Sequence, residues 1–229
     1  MPIPALLAPL RRLLAPACLV CGIAAGDPVC APCRADYFPP AGARCRLCAN
    51  RLPGAGPGLC GRCLAHPPHF DGTYALADYA PPVDAMIAAL KFHGRLDLGR
   101  AFGLLMAERA QAWQGDAVVP LPLAPQRLRE RGYNQAEEIA RVLAARLRRP
   151  LLRDVLLRIR HCPSQQGLRL ARRRTNVRGA FAAGPAAAGR DLLLVDDVLT
   201  SGSTLDAAAA ALKRAGARSV TNCVVARTP

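Results

Sequence analysis

At 229 residues the chain has room for one medium-sized domain and a small appendage. Its 31 basic residues against 16 acidic ones give a formal net charge of +15, which favours polyanionic partners such as nucleic acid or phosphorylated metabolites. No apolar run reaches the length of a membrane span, and Arg11 and Arg12 follow the apolar part of the N-terminus, the wrong order for a secretory signal. A short N-terminal helix packed on the body of a cytoplasmic protein is the expectation.

Eight of the ten cysteines then fall into four identical pairs, Cys18/Cys21, Cys30/Cys33, Cys45/Cys48 and Cys60/Cys63. Two thiolates separated by two residues on a tight turn reach one tetrahedral Zn²⁺, and two such turns complete a four-sulfur site. Gly22 and Gly61, each directly after a cysteine, suit the turns. Few large apolar residues lie between the pairs, so the segment needs a cross-link to fold. Disulfides are the alternative, and a reducing compartment argues against them. One or two structural zinc ions are expected. Sequential pairing gives ribbons over 18–33 and 45–63, and spacing alone also admits interleaved pairing. A closed four-thiolate zinc site has no open position, which makes its role structural.

From Phe70 the composition changes, which divides the chain into a cysteine-rich module, 1–69, and a larger domain, 70–229. The pattern gives a strand over 74–79, then a helix opened by Pro81-Pro82 that runs to Lys91 with Val83, Met86, Ile87 and Leu90 on one face. A second helix spans about 96–113. Lys91, at a helix end, reads as a solvated charge and only a weak candidate for an acceptor site. Residues 116–123 read as the first strand of the core sheet, ended by prolines. Arg127, Arg129 and Arg131 come next, suited to a pyrophosphate group. A helix over 135–147 follows, with Ile139, Val142, Leu143 and Leu147 inward.

Residues 152–159 read as a strand, and 160–167 as a mobile loop beside a site. Between Arg127 and Arg178 stand 15 arginines against Glu130, Glu137, Glu138 and Asp154, so this segment carries +11 of the net +15. Arg172-Arg173-Arg174 must face solvent or an anion.

The most informative stretch is Leu192 to Thr204. Four aliphatics make a strand buried on both faces, as in a parallel sheet. Asp196 and Asp197 follow where the strand should end, then a small-residue loop and a helix over 205–215 that Ser203 or Thr204 caps and Gly216 stops. Such a loop offers backbone N–H groups and the positive end of a helix dipole to a phosphate, while Thr200, Ser201, Ser203 and Thr204 add hydroxyls and Gly202 lets the backbone come close. The acid pair suits two ribose hydroxyls or the water shell of Mg²⁺. A phosphorylated sugar is the ligand this chemistry describes. A Walker A loop is excluded, since no Gly-Lys-Ser/Thr occurs.

Residues 192–204 resemble the thirteen-residue phosphoribosyl-pyrophosphate (PRPP) signature of type I phosphoribosyltransferases, with Ser203 where threonine is commoner. The four cysteine pairs, Lys91-Phe92-x-Gly94, Arg129-x-Arg131-Gly132-Tyr133-Asn134-Gln135, Gln165-x-x-Leu168 and Arg173-x-x-Asn176 occur in order with it. Together they resemble the ComF (competence protein F) family. That resemblance implies an α/β fold, a type I phosphoribosyltransferase-like parallel sheet flanked by helices, with a small N-terminal double zinc ribbon. It implies PRPP with Mg²⁺ as ligand, held by Asp196, Asp197, Thr200, Ser201, Gly202, Ser203 and Thr204, with Arg131, Arg158, Arg160, Gln165 and Arg173 at the pyrophosphate end. Asp196, Asp197 and Arg131 would serve phosphoribosyl transfer directly. It also implies a link to DNA uptake or use, with single-stranded DNA and uptake-machinery proteins as partners. A competing expectation is a non-catalytic DNA-binding factor that uses PRPP as a regulatory ligand. Aromatics make up only 4% of the chain, which weakens a single-strand stacking platform.

Overall fold

The computed structural model describes residues 16–40, 42–54, 58–159 and 179–228. Contacts divide the chain into two compact units, Met1–Pro40 and Ala41–Pro229, which puts the second cysteine quartet in the same unit as the sheet. The N-terminal helix expected over the first fourteen residues and the loop expected over 160–167 lie outside the described residues.

Each quartet is built the same way. A tight knuckle carries the first pair, closed by an antiparallel bridge (Ala17 with Ala24, Arg44 with Arg51), and a short helix carries the second pair. These helices are α1 (Ala31–Tyr37) and α2 (Gly61–Ala65), with Cys30 and Cys60 at their N-caps. The residue after the second cysteine of each knuckle is left-handed: Gly22 in one, with φ of 76°, and Ala49 in the other, with φ of 56°. Gly61 therefore opens a helix and is not the turn residue that its position suggests.

The larger unit is a four-stranded parallel sheet, ordered β1 (Gly72–Asp78), β6 (Ser219–Arg227), β5 (Asp191–Leu199), β2 (Ala117–Pro120). The strand expected first in the core sheet is thus its far edge, and β1 joins the same sheet through β6. Leu192 and Leu194 of β5 pack with Leu205, Ala208 and Leu212 of α7 (Ser203–Arg214) in one buried cluster. Alternation along the strand turns Leu193 and Val195 to the other face. Helices α4 (Leu96–Arg109) and α6 (Gln135–Leu147) pack together and against the sheet. They meet at Gly103, where an added Cβ would lie 2.7 Å from the Val142 Cβ and 2.8 Å from the Ile139 carbonyl oxygen. Helix α3 (Val83–Phe92) buries Val83, Met86, Ile87 and Leu90, the face its periodicity gave. Of the strand expected over 152–159 only β3 (Leu156–Arg158) forms, antiparallel to β4 (Phe181–Ala183) and outside the main sheet. Among the described residues, no helix is long and apolar enough to cross a membrane.

The second ribbon lies along the β1 edge. Thr73 donates from its backbone N–H to the Arg46 carbonyl at 3.0 Å, and from its hydroxyl to the Leu47 carbonyl. Arg44 and Arg51 both pair with Asp78 at the carboxyl end of β1, at 2.7 Å for Arg44. Burial alone would raise Asp78, but these two guanidinium partners hold it below its ordinary value.

Candidate functional site

Parallel strands place all their carboxyl ends on one edge, and ligands bind there in open α/β sheets. Strand β5 runs four residues beyond the aliphatic run, to Leu199, so Asp196 and Asp197 are strand residues rather than the start of the loop. Neighbouring strand residues face opposite ways, which gives the two carboxylates different surroundings. Asp197 is buried, at 4% exposure, and its Oδ1 pairs with Lys91 Nζ at 2.9 Å. Its Oδ2 is buried without a hydrogen-bond partner. A buried carboxylate oxygen in that state is costly unless a cation or hydroxyl donor meets it, so the site fits a divalent cation or sugar hydroxyls.

Burial and the neighbouring Asp197 charge push Asp196 from its ordinary 3.8 up to about 8, against the pull of Lys91 and Arg158. The native state then binds this proton more tightly than the unfolded chain does. Its stabilising contribution is present at acid pH and lost as pH rises from about 4 to about 8. Asp196→Asn should therefore gain melting temperature relative to the parent protein across that window and hold the gain above it. Thermal melts of both proteins from pH 4 to pH 9 without divalent cations check this; parallel curves would remove the assignment.

Two sequence motifs converge on the acid pair. Arg131, the last residue of α5 (Pro125–Arg131), donates from Nη1 to Gln135 Oε1 at 3.0 Å, and its guanidinium carbon lies 5.0 Å from the Phe92 ring centroid. Gly132 ends α5 in the left-handed region, with φ of 79°. The Tyr133 hydroxyl donates to the Leu90 carbonyl, tying α3 to this corner. Asn134 caps α6 by accepting from the Ala136 N–H at 3.1 Å, and its Nδ2 donates to the Leu121 carbonyl at 3.1 Å. Gln135 thus holds the Arg131 guanidinium, Gly132, Tyr133 and Asn134 fix the turn that carries it, and Lys91-Phe92 supplies the ammonium and the ring. Burial lowers the Arg131 guanidinium, and the Asp197 charge works against that shift.

Of the three arginines singled out by sequence, only Arg131 is placed by these contacts beside the acid pair; Arg129 is exposed on α5. Arg158 lies 5.6 Å from the Phe181 ring and acts electrostatically on Asp196. Arg160, Gln165 and Arg173 are outside the described residues. Lys91 is the residue that sequence reasoning undervalued.

After β5, Thr200 and Ser201 lead to Gly202, with φ of 81°, and α7 begins at Ser203. Gly202 is the N-cap, with no side-chain capping bond, so Ser203 and Thr204 are first-turn residues and not caps. The first N–H groups of a helix have no intrahelical partner; that of Ser203 donates to the Ser201 hydroxyl at 3.4 Å, and the next ones remain for an anion. Ser201 and Ser203 hydroxyls are 3.0 Å apart. A cavity of about 560 Å³ separates this loop and α7 from the second ribbon.

In each quartet, Cys18/Cys21/Cys30/Cys33 and Cys45/Cys48/Cys60/Cys63, all four sulfurs lie within 4.8 Å of one another, so sequential pairing is the one that forms. This spacing suits four sulfurs about 2.3 Å from one tetrahedral ion. Burial would raise the Cys18 thiol, but hydrogen bonds from the Cys21, Cys30 and Val20 backbone lower it to about 6. The same balance lowers Cys45 to about 7. Burial raises Cys33 and Cys63. Each group is able to hold one structural metal ion.

Residues 129–229 match the phosphoribosyl transferase domain family. Among curated relatives, the DNA utilization protein YhgH of Salmonella typhimurium is 34% identical over 194 residues, covering 81% of this chain and 86% of that protein. Competence protein F of Haemophilus influenzae is 32% identical over 171 residues, 70% of this chain and 75% of that protein. Among solved structures, the glutamine PRPP amidotransferase of B. subtilis aligns with a TM-score of 0.40 and 21% identity, over 55% of this chain and 25% of that one. A third of the residues shared along most of both chains, together with the phosphoribosyl transferase domain and the two cysteine quartets, show that the chain belongs to the ComF family.

Proposed function

We propose that the protein binds PRPP together with Mg²⁺ at the carboxyl edge of the sheet and transfers its phosphoribosyl group to an acceptor with release of pyrophosphate. The observation that carries this is the buried, half-satisfied Asp197 beside Asp196, one loop away from the N-terminus of α7. The loop 200–204 takes the 5′-phosphate through backbone N–H groups and hydroxyls. Asp196 and Asp197 accept from the ribose hydroxyls, and Mg²⁺, when bound, supplies charge neutralisation for the pyrophosphate. Arg131 and Arg158, with Arg160, Gln165 and Arg173, hold that end.

In the transfer, the bond from ribose C1 to the pyrophosphate oxygen breaks, and a bond from C1 to the acceptor forms as the acceptor gives up its proton. The transition state carries positive charge on the sugar, which the Asp197 carboxylate stabilises, joined by Asp196 once a bound cation favours its charged form. Lys91 and Arg131, the two cations that act on Asp197, offset the negative charge that gathers on the leaving group.

Zinc is the metal we assign to both quartets, in keeping with all-thiolate ligands in the reducing interior of a cell. The curated relatives are named for DNA utilisation and competence, and we place this protein in that setting, with single-stranded DNA and uptake-machinery proteins as its partners. The test is calorimetric titration of PRPP with and without Mg²⁺, followed by a screen of nucleobases and short DNA strands for pyrophosphate release. One Mg²⁺-dependent PRPP site per chain is expected. Absence of binding would sink the reading, and binding without release under any acceptor would favour PRPP as a regulatory ligand.

A further inference from the structure

The phosphate loop is held from outside itself. Arg62, on α2 between the ligand positions Cys60 and Cys63, donates from Nη2 to the Ser201 carbonyl. Arg227 donates from Nε to the Cys48 carbonyl at 2.9 Å and from Nη1 to the Leu199 carbonyl at 3.2 Å, linking the knuckle to the residue just before the loop. His69 donates its backbone N–H to Asp206 Oδ1 at 2.7 Å, with its ring Nδ1 3.0 Å from the same oxygen.

Each contact has a consequence for an anion. In a trans peptide the C=O and the next N–H point in opposite directions. A guanidinium that draws the Ser201 carbonyl toward the ribbon therefore turns the Gly202 N–H toward the far side of the loop. Arg227 on Leu199 does the same for the Thr200 N–H. A cation on the carbonyl also polarises the peptide and strengthens its N–H as a donor. Asp206, an acid in the first turn of α7, would repel a phosphate there, and His69 holds it to the ribbon side.

We propose that Arg62 is a positioning residue for the 5′-phosphate loop, so that the second cysteine quartet, which carries it, sets how tightly the site holds the phosphoribose end of its ligand. This rests on the PRPP reading above. Arg62 is exposed and spans the rim of the 560 Å³ cavity, so it acts on the loop and not on core packing. The pyrophosphate end, served by Arg131 and Lys91, is independent of it.

The experiment uses the full, metal-loaded protein and two probes with Mg²⁺, ribose 5-phosphate and inorganic pyrophosphate, titrated calorimetrically into the parent, Arg62→Ala and Arg62→Lys. Arg62→Ala should weaken ribose 5-phosphate about tenfold and leave pyrophosphate within about twofold, the size of one charge-assisted hydrogen bond acting through the loop. Arg62→Lys should recover part of the loss, and melting temperatures should match. Unchanged ribose 5-phosphate binding in Arg62→Ala, or equal loss of both probes, overturns the proposal. A parent protein that binds neither probe overturns the phosphoribose reading itself, and the role of Arg62 falls with it.

Discussion

Replacing Asp196 and Asp197 together by asparagine is expected to remove PRPP binding while leaving the fold in place. Two carboxylates that each accept a hydrogen bond from a ribose hydroxyl or from Mg²⁺-bound water contribute about 1.5–3 kcal/mol apiece, so the loss should be on the order of a hundredfold or more. The fold should tolerate the change, because burial and mutual repulsion already disfavour the charged form of Asp196. Lys91 loses its partner, but at 22% side-chain exposure it can turn to water. Calorimetry gives the affinity and a thermal melt gives the control; unchanged affinity in a folded double variant would remove the acid pair from the site.

Metal removal should have the second large effect. Apart from the cysteines, Val29 and Phe38 are the buried hydrophobic residues among 16–40, which is too little core to fold such a segment. Structural zinc contributes folding free energy directly, on the order of 10 kcal/mol in isolated zinc-finger peptides. Elemental analysis of the reduced protein should find about two zinc ions per chain. Chelation should expose the cysteines to thiol reagents and open both knuckles, with proteolysis falling first at residues 18–38 and 45–65. Acid should release the metal, since its ligands must be thiolates and protonation removes them. A protein that keeps both knuckles protected without metal would contradict this.

The parts of the fold carried by one-dimensional pattern were legible in the sequence. The face Val83, Met86, Ile87, Leu90, the helix over 135–147, the β5 aliphatics and the glycine stop at 216 all depend on local periodicity or backbone conformation, and they stand as read. What was not legible depends on contacts distant in sequence. Lys91 looked like a solvated helix end because its partner, Asp197, lies more than a hundred residues on. A clue was present: Lys91 and Lys213 are the chain's two lysines among 31 basic residues, and both hold a carboxylate, Lys213 that of Asp71.

The change of composition at Phe70 likewise does not coincide with the division by contacts at Pro40. Cysteine spacing marks the second ribbon as a separate motif, but Arg44, Arg51, Leu47 and Cys48 bind it to β1 and β6, and no local pattern announces such contacts. The helix cap failed for a different reason. Ser203 and Thr204 are good caps by residue type, yet Gly202 takes the cap position because the loop needs its left-handed backbone.

A crystal structure of the protein with PRPP and Mg²⁺ would show the ligand in place. The 5′-phosphate should lie against the N–H groups of residues 200–204, the ribose hydroxyls on Asp196 and Asp197, and the pyrophosphate should face Lys91 and Arg131. PRPP bound elsewhere on the chain, with the Lys91–Asp197 pair and the loop untouched, would contradict this placement.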